Sequence, residues 1–302
     1  MPKLNLNPPL VNACGILSYL DVFELLEKKQ VKLGAWIPKS IGPKEKLGNK
    51  NPTICDNNSS ILNSFALPTQ SIDGWIREFE NSKLEKPIIG SAYGECPEDY
   101  IAIIDVFNNY VDAWELNISC PNKEPGEESL MESIHNEALE FVRGVRETTT
   151  KPLIAKLSPN EDYKHITKLI ANYVDYLGCG NTIGPGLAID IHSRRSKLAG
   201  IYGGISGPAI KPLNLKMVND VYNIVTQINR DIEIIAYGGI ETWEDIIEYC
   251  IAGASIFGIG TVLINKTAEN IVDYTKTLWT GVENYLIQQD TTLEKLKGSL
   301  IK

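Results

Sequence analysis

The sequence lacks the residue spacings that hold metals. Its six cysteines, at 14, 55, 96, 120, 179 and 250, include no C-x-x-C pair. Zinc and iron–sulfur ligand patterns are therefore absent. The three histidines, at 135, 165 and 192, have no H-x-x-x-H spacing, which argues against a histidine-rich metal centre. Scattered cysteines in a chain of this length fit a reducing, cytoplasmic setting rather than a disulfide framework. No stretch approaches the roughly 20 apolar residues of a membrane span. The start, "MPKLNLNPPLVNACG", has no basic-then-apolar signal pattern. Motif-bearing sequence begins by Asn12, leaving no room for an N-terminal membrane-binding module. Basic charge is in deficit: 29 Lys and Arg against 38 Asp and Glu give a net charge of −9. That argues against nucleic acid as the main partner. A small anionic ligand remains compatible, because it needs only a local positive group.

What is present is ordinary globular composition, 43% hydrophobic and 22% charged over 302 residues. Such a length suits two domains or one α/β barrel. Short β-rich runs alternate regularly with helical patterns. The runs are 10–13 (LVNA), 35–40 (AWIPKS), 87–92 (PIIGSA) and 113–119 (AWELNIS), then 152–158 (PLIAKLS), 176–182 (YLGCGNT), 232–239 (IEIIAYGG) and 255–261 (SIFGIGT). Between them, apolar residues recur at three and four over 19–29, 96–110, 134–149, 161–173, 213–229 and 242–253, the helical period. Thr242, followed by Glu244 and Asp245, marks a helix start.

Eight strands alternating with helices predict a closed parallel barrel, a single α/β domain over 1–302. An open doubly wound sheet is the rival, weakened because no G-x-G-x-x-G follows the first strand. Two stretches exceed ordinary βα loops. One, 41–70, follows the second strand; the other, 183–210, follows the sixth. Loops of that length are usually functional.

Catalytic groups of such barrels sit at the C-terminal ends of the strands. Those ends carry Ala13, Cys14 and Gly15, then Lys39 and Ser40, then Asn117 with Cys120. Lys156, Asn181 with Thr182, Gly238 with Gly239, and Gly260 with Thr261 follow. Turn glycines often do no more than turn the chain. At strands seven and eight, joined by Gly207 in "GGISGPA", they also suit a phosphate cradled by backbone N–H groups. A strand-end lysine can be a solvated charge. Lys39 and Lys156 in one mouth suit a ring that gains negative charge on reduction. Cys120 alone would more often be a small buried residue; its Pro- and Gly-bounded loop argues for exposure. Asn63, Asn117, Asn122 and Asn181 can cap turns, or together clamp a ligand rich in carbonyl and N–H groups.

These motifs carry a resemblance that covers nearly the whole chain. "NISCPN" resembles the active-site signature of dihydroorotate dehydrogenases. "VNACG", "KS" with "LNSFALP", "IAKLSPN", "NTIG", "GGISGPAIKP", "YGGI" and "GIGT" follow in that family's order. The resemblance implies a (β/α)8 TIM barrel, with an extended substrate loop after strand 2 and an insertion after strand 6. It implies non-covalent FMN and oxidation of dihydroorotate to orotate in pyrimidine (UMP) biosynthesis. Cys120 would then be the general base taking the carbon-5 proton, while the carbon-6 hydride goes to the flavin. Lys39, Asn63, Phe65, Ala66, Leu67, Asn117, Asn122, Asn181 and Thr182 would hold the substrate. Ala13, Cys14, Gly15, Lys39, Ser40, Asn117, Lys156, Gly207, Gly238, Gly239, Gly260 and Thr261 would bind FMN.

A cysteine base resembles the soluble class, and "GGISGPAIKP" the branch that pairs with an FAD and iron–sulfur subunit. The assembly implied is a homodimer, or a heterotetramer with that subunit, without membrane or nucleic acid. The sequence departs from the family's pattern at Cys14, Pro38, Phe65-Ala66 and Thr69, which bears on the substrate loop and the electron acceptor. A dihydropyrimidine dehydrogenase-like enzyme shares the barrel and cysteine loop, but carries histidine where Asn122 stands. A non-catalytic flavin-binding subunit is disfavoured by the intact Lys39, Cys120 and asparagines.

Overall fold

The computed structural model describes residues 3–118, 138–228 and 231–301. Its strands begin with β1 (Leu10–Asn12), β2 (Ile54–Asp56), β3 (Ile61–Asn63), β4 (Ile89–Ala92), β5 (Ala113–Asn117) and β6 (Leu153–Leu157). They continue with β7 (Tyr176–Cys179), β8 (Ile183–Leu187), β9 (Ile189–Asp190), β10 (Arg195–Ser196), β11 (Tyr202–Ser206), β12 (Glu233–Tyr237) and β13 (Ile256–Ile259). A 7-stranded sheet runs in the order β1-β13-β12-β7-β6-β5-β4, with every pair parallel. Parallel neighbours need long crossovers. Helices supply most of them: α1 (Leu20–Lys28), α2 (Ile72–Asn81), α3 (Pro97–Phe107), α4 (Ala138–Thr148), α5 (Tyr163–Ile170), α6 (Lys211–Ile228), α7 (Trp243–Ala252) and α8 (Ala268–Gln288). A short α9 (Leu293–Leu296) follows. This is a TIM-barrel-like α/β fold.

The expected strand over 35–40 is not a regular one. Only Ala35 and Trp36 form bridges, to Val11 and Ile88, one on each edge of the sheet. At Ile37 the Asn12 side chain replaces ladder bonds, accepting from the Ile37 N–H at 2.9 Å and donating to its carbonyl at 2.7 Å. Pro38 then has no N–H to offer a ladder. The other expected strands are present with shorter ends. Gly180, Gly238 and Gly239 take φ of +124°, +106° and +71°, which breaks the pleat where the sequence still reads as strand.

Side-chain alternation divides each strand between two cores. Trp114, Leu116, Leu153 and Ala155 pack outward with the helices. Val11, Ala35, Ile37, Ile89, Ala113, Ile154, Tyr176, Ile235 and Ile256 pack together inside. Two residues farther along each strand, on the same inner face, the character changes to Ser91, Glu115, Lys156, Gly178, Tyr237 and Gly258. The inside is thus apolar below and polar toward the C-terminal mouth.

Helices α2 and α8 lie outside the helical segments named from the sequence. Ser71 caps the first, accepting from the Gly74 N–H, and Thr267 caps the second, accepting from Asn270. The buried pair Trp75 and Phe79, and the series Ile271, Thr275, Leu278 and Val282, carry their periodicity. At α7 the expected start holds: the Asp245 carboxylate accepts from the Thr242 N–H at 2.7 Å. The two long stretches are structured by pairing with each other. β2 and β3 from the first, and β8 and β11 from the second, form an antiparallel 4-stranded sheet, β2-β3-β11-β8. Among the described residues no helix is long and apolar enough to cross a membrane.

Candidate active site

A cleft of about 500 Å³ opens where the parallel strands end and the small sheet begins. That is a size typical of small-molecule sites. Ala13, Cys14 and Gly15 enter it from β1, and Lys39 and Ser40 from the neighbouring segment. Gly15 has φ +82°, a backbone conformation that favours glycine, and a Cβ there would lie at ordinary contact distance from the Lys39 side chain. A polar chain crosses the floor. Cys14 Sγ donates to the Pro38 carbonyl at 3.2 Å and lies 3.1 Å from Ser40 Oγ. Ser40 Oγ lies 3.0 Å from Ser91 Oγ and accepts from Asn117 Nδ2 at 3.2 Å. Asn117 Oδ1 is buried and has no partner among the described residues. A buried acceptor of that kind calls for a donor from a ligand or water.

Lys156 reaches the cleft from β6, where it is only 6% exposed. It is not a lone cation. Its Nζ lies 3.5 Å from Oε1 of the fully buried Glu115 and 4.6 Å from the centroid of the Tyr237 ring. The Tyr237 hydroxyl donates to Glu115 Oε2 at 2.7 Å. Burial, and then the Glu115 charge, hold the phenol well above its ordinary pKa, so it stays a donor. Glu115 and Tyr237 were absent from the sequence-derived candidates. Their signal was there: Glu115 is in phase with Asn117, and Tyr237 immediately precedes the glycine pair.

The glycine end of the cleft is formed by Gly207, Gly238, Gly239, Gly260 and Thr261. Gly207 and Gly239 both have left-handed φ, +98° and +71°, and a Cβ on Gly239 would come 3.1 Å from the Gly207 carbonyl. Turns in that conformation expose backbone N–H groups suited to anions. An ion pair fixes them from behind. Lys211 binds Asp245, and the same carboxylate accepts from the Glu241 and Thr242 N–H groups at 2.8 and 2.7 Å.

On the opposite side the cleft is lined by Asn63, Phe65, Leu67, Asn181 and Thr182. Asn63 Nδ2 donates to the Gly204 carbonyl at 3.3 Å, tying the two inserts together. Asn181 Oδ1 accepts from the Thr182 N–H at 2.8 Å, and Thr182 Oγ1 is a second buried atom without a partner among the described residues. Phe65 is 40% exposed at the rim. Ala66 is different: it is 3% exposed and does not line the cleft. Ala66 and Leu67 both take left-handed φ, 56° and 52°, so the chain turns there and the methyl is buried in the protein. The departure at Thr69 has a structural role, since Thr69 Oγ1 accepts from Trp75 Nε1 at 2.9 Å. Cys120 and Asn122 lie outside the described residues.

The family model for dihydroorotate dehydrogenase matches residues 1–278. The chain belongs to the dihydroorotate dehydrogenase family. Its reaction is the oxidation of dihydroorotate in pyrimidine biosynthesis, and its cofactor is FMN. It is 34% identical over 278 residues to the catalytic subunit of dihydroorotate dehydrogenase B (NAD(+)) from Pyrococcus abyssi, covering 89% of this chain and 90% of that protein. The namesake subunit from Geotalea uraniireducens is 35% identical over 314 residues, covering 99% and 96%. Among solved structures, that of DHODH in complex with ferulenol from Eimeria tenella is similar in fold, with TM-score 0.74 and 19% identity. It covers 96% of this chain and 85% of that one. The cleft fits FMN on chemical grounds. The Asn117 acceptor, without a partner among the described residues, suits a ring N–H, Lys39 and Lys156 suit a ring that gains electrons, and the glycine turns suit a phosphate.

Proposed function

We propose that this chain is one barrel domain that oxidises dihydroorotate in the cleft described, with Cys120 as the general base. In this reading Ala35–Trp36 is the eighth stave, the 41–70 stretch is the substrate loop, and 183–210 is the insertion that roofs it. The observation that carries the reading is the end of β5. Asn117 stands in the cleft with a buried acceptor unpartnered among the described residues, three positions before Cys120 and on the same floor as Lys39 and Lys156.

The chemistry follows from the residue types. The carbon-5 proton of dihydroorotate is weakly acidic, so a base must be held at it. Cys120 takes that proton as a thiolate. Lys39, which lines the cleft, would oppose negative charge on substrate and cofactor. Asn63, Asn117, Asn122 and Asn181 orient the ring amides and carboxylate, with Thr182. Bound FMN would supply the oxidising chemistry, as the acceptor for the carbon-6 hydride. Gly207, Gly238, Gly239, Gly260 and Thr261 hold its phosphate end. Ala13, Cys14, Gly15, Ser40 and Lys156 hold its ring end. Phe65 and Leu67 close the rim, and Ala66 acts there only through the backbone turn.

The relatives' names extend the proposal to assembly. The chain acts as a catalytic subunit, as a dimer or together with an electron-transfer subunit carrying FAD and an iron–sulfur cluster, and passes electrons toward NAD(+). The test is an anaerobic titration of the purified protein followed by flavin absorbance. Dihydroorotate bleaches the flavin and dihydrouracil does not. Bleaching by dihydrouracil alone, or by neither, would sink the reading.

A further inference from the structure

The glycine pair after β12 is pinned from behind by a residue that does not line the cleft. Tyr249 stands on α7 and is fully buried. Its hydroxyl donates to the Gly238 carbonyl at 2.7 Å. Burial, and then the Asp245 charge, push this phenol well above its ordinary pKa, so it stays a donor. The Lys211 carbonyl, 3.5 Å away, is the weaker acceptor. The Gly238 carbonyl and the Gly239 N–H belong to one trans peptide plane and point in opposite directions. Gly238 and Gly239 both line the cleft and Tyr249 does not. A carbonyl held back toward Tyr249 therefore turns the Gly239 N–H forward into the cleft, where it has no acceptor among the described residues.

We propose that Tyr249 is a positioning residue for the cofactor phosphate: its hydroxyl fixes the Gly238–Gly239 peptide with the N–H, not the carbonyl, facing the anion. This rests on the flavin reading of the cleft. A forward N–H gives a phosphate a charge-assisted hydrogen bond; a forward carbonyl would repel it. Two consecutive glycines have no Cβ to oppose a half-turn of the peptide between them, so sterics alone do not choose. The bonds from Asp245 to the Glu241 and Thr242 N–H groups hold only the downstream half of the turn. Behind Gly238 lies Asn214 of α6, whose Nδ2 is 2.0 Å from where a Cβ would stand. Asn214 is fully buried, and neither polar atom of its side chain has a partner among the described residues. A reversed peptide would thus also meet a polar group behind the turn, and the tyrosine hydroxyl is what favours the forward N–H.

The test compares the affinities of FMN and of riboflavin, which lacks the phosphate, by flavin fluorescence in wild type and Tyr249→Phe. The variant loses about 10- to 100-fold in FMN affinity, the range for one hydrogen bond to a charged group, and keeps its riboflavin affinity within about twofold. An equal loss for both flavins, which a merely structural role would give, overturns the proposal. So does an unchanged FMN affinity. A second measurement needs no variant and decides the matter if Tyr249→Phe does not fold. In wild type, FMN slows hydrogen exchange of the Gly239 amide and riboflavin does not. Equal protection by the two flavins overturns the proposal. A wild-type protein that binds neither flavin would instead overturn the flavin reading itself.

Discussion

Asn12 grips Ile37 through both polar atoms of its side chain, at 2.7 and 2.9 Å. This joins the strand that delivers Cys14 to the segment that delivers Lys39. Both groups of Ile37 are buried and depend on that one amide. Replacing the amide by a methyl group leaves an N–H and a carbonyl unsatisfied, at about 1–3 kcal/mol each before relaxation. Asn12→Ala is therefore expected to lose about 2–4 kcal/mol in urea unfolding and to weaken FMN binding. A loss below about 0.5 kcal/mol, the level of an ordinary surface change, would contradict the joint.

The same relationship shows what the sequence could and could not reveal. The run 35–40 reads as a strand because its residues are β-formers; that a side chain would do the ladder's work at Ile37 has no local signal. Most of the strand ends are legible because they close on a lysine, an amide or a glycine. Glu115 was legible in principle: Ala113, Glu115 and Asn117 share a face, so an acid there had to enter the barrel. The pairing of β3 with β11 was not, because Asn63 and Gly204 meet across a sequence separation that local patterns do not span. Ala66 was read as a contact from its place in a motif; its burial, within a turn that it shares with Leu67, has no local signal.

Gly258 faces the Tyr237 ring, which the Glu115 bond holds in place. Gly258→Ala overpacks this layer and is expected to cost about 1–3 kcal/mol. Gly144→Ala is the counterpart. Gly144 lies in helix α4, and a Cβ there meets nothing within 4 Å among the described residues outside the helix's own backbone, so that change should stabilise by about 0.5–1 kcal/mol. Equal effects of the two changes on the thermal midpoint would refute the packing argument.

Asp245 anchors the glycine turns through Lys211 and two backbone N–H groups. Burial acts to raise its pKa, but the Lys211 and backbone bonds outweigh that and hold it below the ordinary carboxylate value. A depressed folded value means stabilisation present above the unfolded pKa of 3.8 and lost as pH falls through the folded one. Asp245→Asn should therefore be less stable than wild type at pH 7, with weaker FMN binding. The gap should close in acid, below about pH 4. A gap of constant size from neutral pH into acid would show that the charge is not responsible.

The most direct measurement is rapid anaerobic mixing with dihydroorotate, following flavin reduction in wild type and Cys120→Ala across pH. The wild-type rate should rise with pH as a thiol ionises, an unperturbed thiol doing so near 8.5. Cys120→Ala should keep the flavin spectrum and affinity, and reduce about 10²–10⁴-fold more slowly. Flavin reduction in that variant at a near wild-type rate would contradict the assignment of Cys120 as the base.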